Sequence, residues 1–152
     1  MKAYELCQRN VVTVRGQEDL ATAAWIMRER NVGCLVVVEP FGMQGGWRPV
    51  GLLSDRDIVT QVIARDCDAR SLAVSDVMSR PVSIGPDTSI EDALQRMRLG
   101  GTRRVCVIDE RGRLAGILAL DDIFEHVGKP VASAGKNRHR EDLYTPASGR
   151  NA

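Results

Sequence analysis

The residues best placed for chemistry lie at two junctions where a short apolar strand gives way to a helix. The first reads Gly51-Leu52-Leu53-Ser54-Asp55-Arg56-Asp57-Ile58 and the second Gly116-Ile117-Leu118-Ala119-Leu120-Asp121-Asp122-Ile123. Ser54 is a favoured N-cap residue, and Asp57, three positions on, makes a carboxylate version of the capping box. The same geometry suits a nucleotide. A helix start offers free N–H groups and the positive end of its dipole to a phosphate. Ser54 adds a hydroxyl and Arg56 a permanent cation. Asp57 is of the type that accepts two hydrogen bonds from a ribose diol in dinucleotide sites. At the first junction both readings stand. At the second, capping does not explain Asp122, because Ala119 has replaced the N-cap hydroxyl.

Little else in the chain has the makings of an active centre. Catalysis needs a nucleophile, a base and a stabilising group in one place. There are two histidines, His126 near the end of the last helical stretch and His139 close to the chain end. No G-x-S-x-G, Walker A or H-E-x-x-H run occurs. The pairs Asp55/Asp57 and Asp121/Asp122 have no further ligand at metal spacing. Cys7, Cys34, Cys67 and Cys106 include no close pair of the kind that zinc sites use. Cys34 and Cys106 fall in apolar runs and read as small buried hydrophobes. The expectation is a protein without catalysis, with reduced thiols and no metal site.

The elements that carry the junctions occur twice. At an offset of 70, Val12 and Val14 fall on Val82 and Ile84, and Leu20, Ala23, Ala24 and Met27 fall on Ile90, Ala93, Leu94 and Met97. Val37 and Val38 likewise meet Val107 and Ile108. Beyond that point the offset is 65, and Gly51-Leu52-Leu53 falls on Gly116-Ile117-Leu118. The difference belongs to one hairpin, which is longer in the first copy. Each copy predicts a strand (Val11 to Val14; Val82 to Ile84), then a helix with apolar residues at i, i+3, i+4 and i+7. Thr88 and Glu91 have capping-box spacing at the start of the second of these helices. A buried strand follows (Leu35 to Val38; Val105 to Ile108), then a turn-rich hairpin, a third strand (Val50 to Leu53; Leu114 to Leu118) and a last helix. The unit is β-α-β-β-α. The fold class is α/β (α+β), with two repeats packed sheet to sheet about a pseudo-two-fold axis. The expected boundaries are 6–66 and 76–128 for the repeats, 67–75 for the connection and 129–152 for a tail.

Composition narrows the classes of function. The chain has 152 residues, 43% of them hydrophobic, and a formal charge of +1. That length suits one domain, or two half-sized units sharing a core. The longest apolar run, Cys34 to Val38, is too short to span a membrane, and Met1 to Cys7 lacks the apolar core of a signal peptide. A soluble cytoplasmic protein is expected. Nucleic-acid binders usually carry a basic stripe, and here the basic excess is confined to 129–152, at +3, leaving −2 for the rest. The tail lacks periodicity and is expected to be disordered. Its cluster Lys136-Asn137-Arg138-His139-Arg140 is the only region that suggests contact with RNA or an acidic partner, and a solvated tail is the plainer expectation. Trp25 is expected in the core or at a dimer interface, and Trp47 on the long hairpin either packs on the loop or stays open for contact.

The duplicated unit and its G-h-h-[ST]-x-x-D junction resemble a tandem pair of CBS domains, over about residues 6 to 128. Asp76-Val77-Met78-Ser79-Arg80-Pro81-Val82 is similar to that family's usual lead-in to a repeat. The resemblance implies a disc-like pair with two clefts between its sheets, and an adenosine-containing regulatory ligand: AMP, ADP or ATP, or S-adenosylmethionine or NADH. No tightly bound cofactor is implied. It also implies a homodimer formed through the helices. Matched position by position, Ser54, Arg56 and Asp57 serve the first cleft, the carboxylate holding the ribose while the hydroxyl and the cation face phosphates. In the second copy only Asp122 matches, because Ala119 replaces the hydroxyl, and the second cleft is expected to bind more weakly, to take a shorter ligand or to stay empty. Val11, Val12 and Thr13, and Val82 and Ser83, correspond to segments that flank the adenine. Gly33 and Cys34, and Arg103 and Arg104, precede the middle strands and are expected to line the clefts. For the two arginines a solvated turn is the alternative. The residues left outside the repeats are too few for an effector domain, so output is expected to pass through a partner protein or the protein's own oligomer. The competing expectations are a ligand-independent dimerisation scaffold and nucleic-acid contact through the tail.

Overall fold

The computed structural model describes residues 1–128, so the expected tail at 129–152 lies outside the described residues. In chain order the elements are α1 (Ala3–Leu6), β1 (Thr13–Arg15), α2 (Leu20–Arg30), β2 (Cys34–Pro40), β3 (Trp47–Ser54) and α3 (Asp55–Ile58), which runs on as a π-helical turn, Val59–Ile63. The second half holds α4 (Val74–Val77), β4 (Ser83–Ile84), α5 (Ile90–Gly100), β5 (Arg104–Ile108), β6 (Leu114–Ala119) and α6 (Leu120–Val127). Among the described residues, no helix is long and apolar enough to cross a membrane.

Two three-stranded sheets form, ordered β1-β2-β3 and β4-β5-β6. In each, the first strand runs parallel to the second and the third returns antiparallel through the hairpin. Leu35 to Val38 are all buried because β2 is covered on both faces. Alternation along the strand sends Leu35 and Val37 toward α2 and α3, where Leu20, Ala23, Met27, Leu53 and Val62 complete one core. Val36 and Val38 point the other way and meet Leu52 and Cys106 between the sheets. A second helix-side core gathers Ala93, Met97, Val105, Val107, Leu118 and Ile123. The predicted sheet-to-sheet α+β pair is what forms.

Local departures have identifiable causes. The helix of the second copy starts one residue later than Thr88 and Glu91 imply: Ser89 is its N-cap and its hydroxyl accepts from the Asp92 amide at 3.1 Å. Both spacings satisfy the capping rule, but the Thr88 carbonyl is held by the Ala3 amide, at 2.8 Å. The first strand begins at Thr13, leaving Val11 and Val12 ahead of it, although the Val12 carbonyl still accepts from the Val36 amide. Trp25 is not in the core; it is 61% exposed on α2. Trp47 leans against Arg15, whose guanidinium carbon lies 5.3 Å from the ring centroid.

The lead-in helices are exchanged between the copies. α1 precedes the first copy but packs on the second, where Ala3 is fully buried with Leu118 and Ile123. α4 precedes the second copy and packs on the first, where Val74 joins the core. The segments that follow lie alongside the third strands. Gln8 and Ile117 exchange two backbone hydrogen bonds, as do Ser79 and Leu52. Such close passage leaves no room for a side chain on the neighbouring strand residue. A Cβ on Gly116 would lie 2.7 Å from the Cys7 sulfur, and one on Gly51 would collide with the Met78 thioether. The glycine that opens each junction is therefore a packing requirement. Residues 67–75 follow the same logic: the carbonyls of Ala69 and Leu72 accept from the Leu20 amide at the start of α2.

Burial between the sheets pushes the Cys106 thiol up to about 12, with the nearby Cys34 thiol adding to the shift. The folded protein thus keeps a proton that an unfolded cysteine, at about 9, loses. Stability from this group is fully present below pH 9 and falls as pH rises from 9 toward 12. Cys106→Val, which installs the residue type of the equivalent Val36, is expected to flatten that part of the alkaline loss. Equilibrium denaturation of both proteins at about pH 8 and about pH 10.5 measures it.

Candidate functional site

The first junction is built by β3 feeding α3. Ser54 ends the strand with extended backbone, and its hydroxyl accepts from the Asp57 amide at 3.1 Å. In return Asp57 Oδ2 accepts from the Ser54 amide at 2.9 Å. The turn before β2 is tied in, since the Asp55 amide donates to the Gly33 carbonyl at 2.9 Å. A side chain on Gly33 would press on the Asp55 carboxylate, 3.0 Å from the position of its Cβ. Cys34 pairs in register with Ser54 and packs against the apolar cluster between the sheets. Burial raises the Cys34 thiol first of all; Arg104 opposes the rise, and Asp57 and Asp55 add to it. Charges from both copies therefore converge on this sulfur.

The second junction repeats the frame with different side chains. The Leu120 amide donates to the Arg103 carbonyl at 2.8 Å, and Arg104 pairs with Ala119 in register. Asp122 Oδ2 accepts from the Ala119 amide at 3.1 Å. Asp122 therefore does have a capping role, because the backward half of a capping box needs no hydroxyl on the N-cap residue. Asp122 Oδ1 accepts from the side-chain amide of Gln8 at 3.4 Å. Arg103 is exposed and paired with Asp121 at 3.1 Å, the solvated-turn alternative for this residue.

The expected phosphate cradle at the first helix start is closed. The Asp55 amide is held by Gly33, the Arg56 amide by Asp55 Oδ1 at 2.8 Å, and the Asp57 amide by Ser54. What remains for a ligand is the Ser54 hydroxyl hydrogen, the exposed Arg56 guanidinium and Asp57 Oδ1, which accepts no hydrogen bond among the described residues. A carboxylate oxygen beside a hydroxyl suits a diol donor, and a nearby arginine suits an anion.

The other expected residues fall around this frame. Val11 packs on the inter-sheet cluster with Cys34, whereas Val12 packs on the core of its own copy. Thr13 and Ser83 are half-buried on their edge strands, and the Val82 carbonyl accepts from the Cys106 amide at 2.8 Å. A groove of about 840 Å³ lies elsewhere, beside α5 and the second hairpin; of the expected residues it includes Ser83 alone. Sequence reasoning missed Gln8. Its signal was an offset of 71 that sets Ala3 to Gln8 on Val74 to Ser79, ahead of where the longer repeat begins.

A family model for the CBS domain matches the chain twice, over residues 3–64 and 74–129. The CBS domain-containing protein YhcV of Bacillus subtilis is 40% identical over 114 residues, which cover 74% of this chain and 76% of YhcV. A Methanopyrus kandleri relative, 30% identical over 122 residues and 80% of this chain, is longer: the match spans 60% of it. Among solved structures, Hypoxic Response Protein I with two coordinated zinc ions gives a TM-score of 0.69 at 31% identity, over 83% of this chain and 98% of that one. The zinc is a feature of that protein. Among the described residues here, no group of three or more His, Cys, Asp or Glu is gathered to hold a metal. The CBS domain protein PAE2072 from Pyrobaculum aerophilum, complexed with AMP, has the same fold at a TM-score of 0.72 and 22% identity, over 85% of this chain and all of that one. With two matched copies and a close relative in YhcV, this chain belongs to the CBS domain family, as a tandem pair.

Proposed function

We propose that this CBS pair is a non-catalytic regulatory module that binds an adenosine-containing ligand at the first junction and signals through a partner or its own oligomer. The observation that carries the reading is Asp57 Oδ1, held in place by the Ser54 amide on its sister oxygen and left open beside a hydroxyl. Arg56 and Arg104 supply cations for the phosphates, replacing the amides at the start of α3, which Gly33, Asp55 and Ser54 already engage. The AMP complex of PAE2072 supports the ligand class at the level of the shared fold. Calorimetric titration of nucleotide-free protein with AMP, ADP, ATP, S-adenosylmethionine and NADH tests the proposal. Saturable binding of at least one is expected, and no binding to any at millimolar concentration would overturn it.

The scaffold reading draws on a different observation. Trp25 on α2, Val59 and Ile63 on the π-helical turn and Phe124 on α6 are large apolar side chains left exposed. A dimer through the helices would cover them. The double variant Trp25→Glu/Ile63→Glu is expected to halve the mass found by light scattering while leaving nucleotide binding within about threefold. A ligand-independent scaffold instead predicts that Asp57→Ala leaves partner binding, and thermal stability in the presence of nucleotide, unchanged. Nucleic-acid contact through 129–152 is separable: it requires a salt-dependent mobility shift that disappears on truncation after Val127.

A further inference from the structure

The two lead-in segments make the same backbone contacts with their third strands but place different side chains, Gln8 and Ser79, beside the two junctions. Gln8 is bonded to Ile117 by two backbone hydrogen bonds of 2.8 and 2.9 Å, and Ser79 to Leu52 by two of 2.9 and 3.0 Å. Each residue thus sits beside the strand that leads into its junction. The Ser79 hydroxyl turns back onto the Leu52 carbonyl at 3.3 Å and leaves Asp57 alone. The longer Gln8 side chain reaches forward, and its amide donates to Asp122 Oδ1 at 3.4 Å. Asp122 Oδ2 is already held by the Ala119 amide. Both oxygens of the second carboxylate are therefore engaged by the protein, whereas among the described residues the first carboxylate keeps one open.

We infer that Gln8 is a built-in competitor at the second cleft, occupying the carboxylate oxygen that a ribose hydroxyl would use, so that the pair presents one open cleft and one self-capped cleft. This rests on the proposed role of Asp57. A neutral amide from an exposed glutamine, 3.4 Å from the carboxylate, is a weak cap, so the expected effect is a several-fold change in affinity. Ligand concentration can overcome such a cap, which makes the second cleft a high-concentration site. Ala119 acts in the same direction by removing the hydroxyl, but leaves Asp122 free to bind; the Gln8 contact is what closes it.

Equilibrium dialysis with AMP separates the possibilities. The wild type is expected to bind one equivalent tightly, and Asp57→Ala to weaken that event roughly 10- to 100-fold. Adding Gln8→Ser to Asp57→Ala is expected to strengthen the residual second-cleft binding several-fold, and Asp122→Ala to abolish it again. Serine is the residue at the equivalent position 79, so the backbone bonds to Ile117 are retained. If Asp57→Ala leaves AMP binding unchanged, the proposed site itself is wrong. If Asp57→Ala weakens the tight event and adding Gln8→Ser strengthens nothing, the role of Gln8 is wrong and the site stands. The reciprocal Ser79→Gln offers a second measure, with a several-fold loss expected at the first cleft. No loss there would also overturn the inference.

Discussion

A chain lacking residues 1–8 is expected to lose about 3 kcal/mol of stability, mostly from the second copy, to which that segment is not adjacent in sequence. The deletion removes the fully buried Ala3 from the core around Leu118 and takes Leu6 and Cys7 off its edge. It also removes the backbone hydrogen bonds that the Ala3 amide donates to Thr88 and the Tyr4 amide to Pro86, and the two between Gln8 and Ile117. Against a typical margin of about 5–15 kcal/mol this is a large fraction. β6 would be left as a bare sheet edge, so self-association at high concentration is a further expected result. Hydrogen exchange gives the decisive comparison. Protection at Val105, Val107 and Leu118 should fall well before protection at Leu35, Val37 and Leu53. No loss in either copy would mean that the exchanged helix is an ornament rather than a structural part, and an equal loss in both would mean that the two copies open as one unit, against the local effect expected here.

Asp57 is expected to show the largest separation between binding and stability. Asp57→Asn keeps an oxygen that can accept from the Ser54 amide, so the cap survives and the melting temperature should move little. Its second oxygen becomes an NH2 group, which cannot accept from a ribose hydroxyl. Losing hydrogen bonds to a charged group at about 1.5–3 kcal/mol corresponds to roughly a 10- to 100-fold weaker affinity for the nucleotide. Asp57→Ala should lose the same affinity and also about 1 kcal/mol of stability with the cap. Thermal melts and titrations of both variants check the pair of outcomes. If Asp57→Asn binds as tightly as the wild type, the carboxylate is a helix cap and nothing more.

The repeat was legible because apolar spacing is a local property. Leu20, Ala23 and Met27 repeat as Ile90, Ala93 and Met97, and in both copies the positions that correspond to Leu20, Ala23 and Met27 face a sheet. The Ser54 and Asp57 cap was legible for the same reason, being four consecutive residues of known preference. What could not be read depends on partners distant in sequence. α1 and α4 are four residues long with one buried residue each, too short for any periodicity to say which sheet they cover. The closure of the phosphate cradle depends on the Gly33 carbonyl and on the Asp55 side chain folding back to the Arg56 amide, neither of which spacing can reveal. Trp25 lies just beside the apolar stripe of α2, and the structure turns it outward. Asp122 shows the limit of arguing from a missing partner: the hydroxyl is gone, yet the carboxylate still finds the backbone amide.

The exchange of α1 and α4 has a consequence for how the molecule can come apart. A fragment ending near residue 66 would contain the first sheet together with a helix that fits only the second. The complementary fragment would contain the second sheet and the helix that completes the first. Neither piece is whole, yet each carries what the other lacks, so the two mixed in solution are expected to reassemble as halves of a clasp. A single repeat on its own cannot bury its lead-in helix as this pair does unless it trades it with another copy of itself. The tandem chain thus ties together, with a covalent link, a handshake that the repeat already requires.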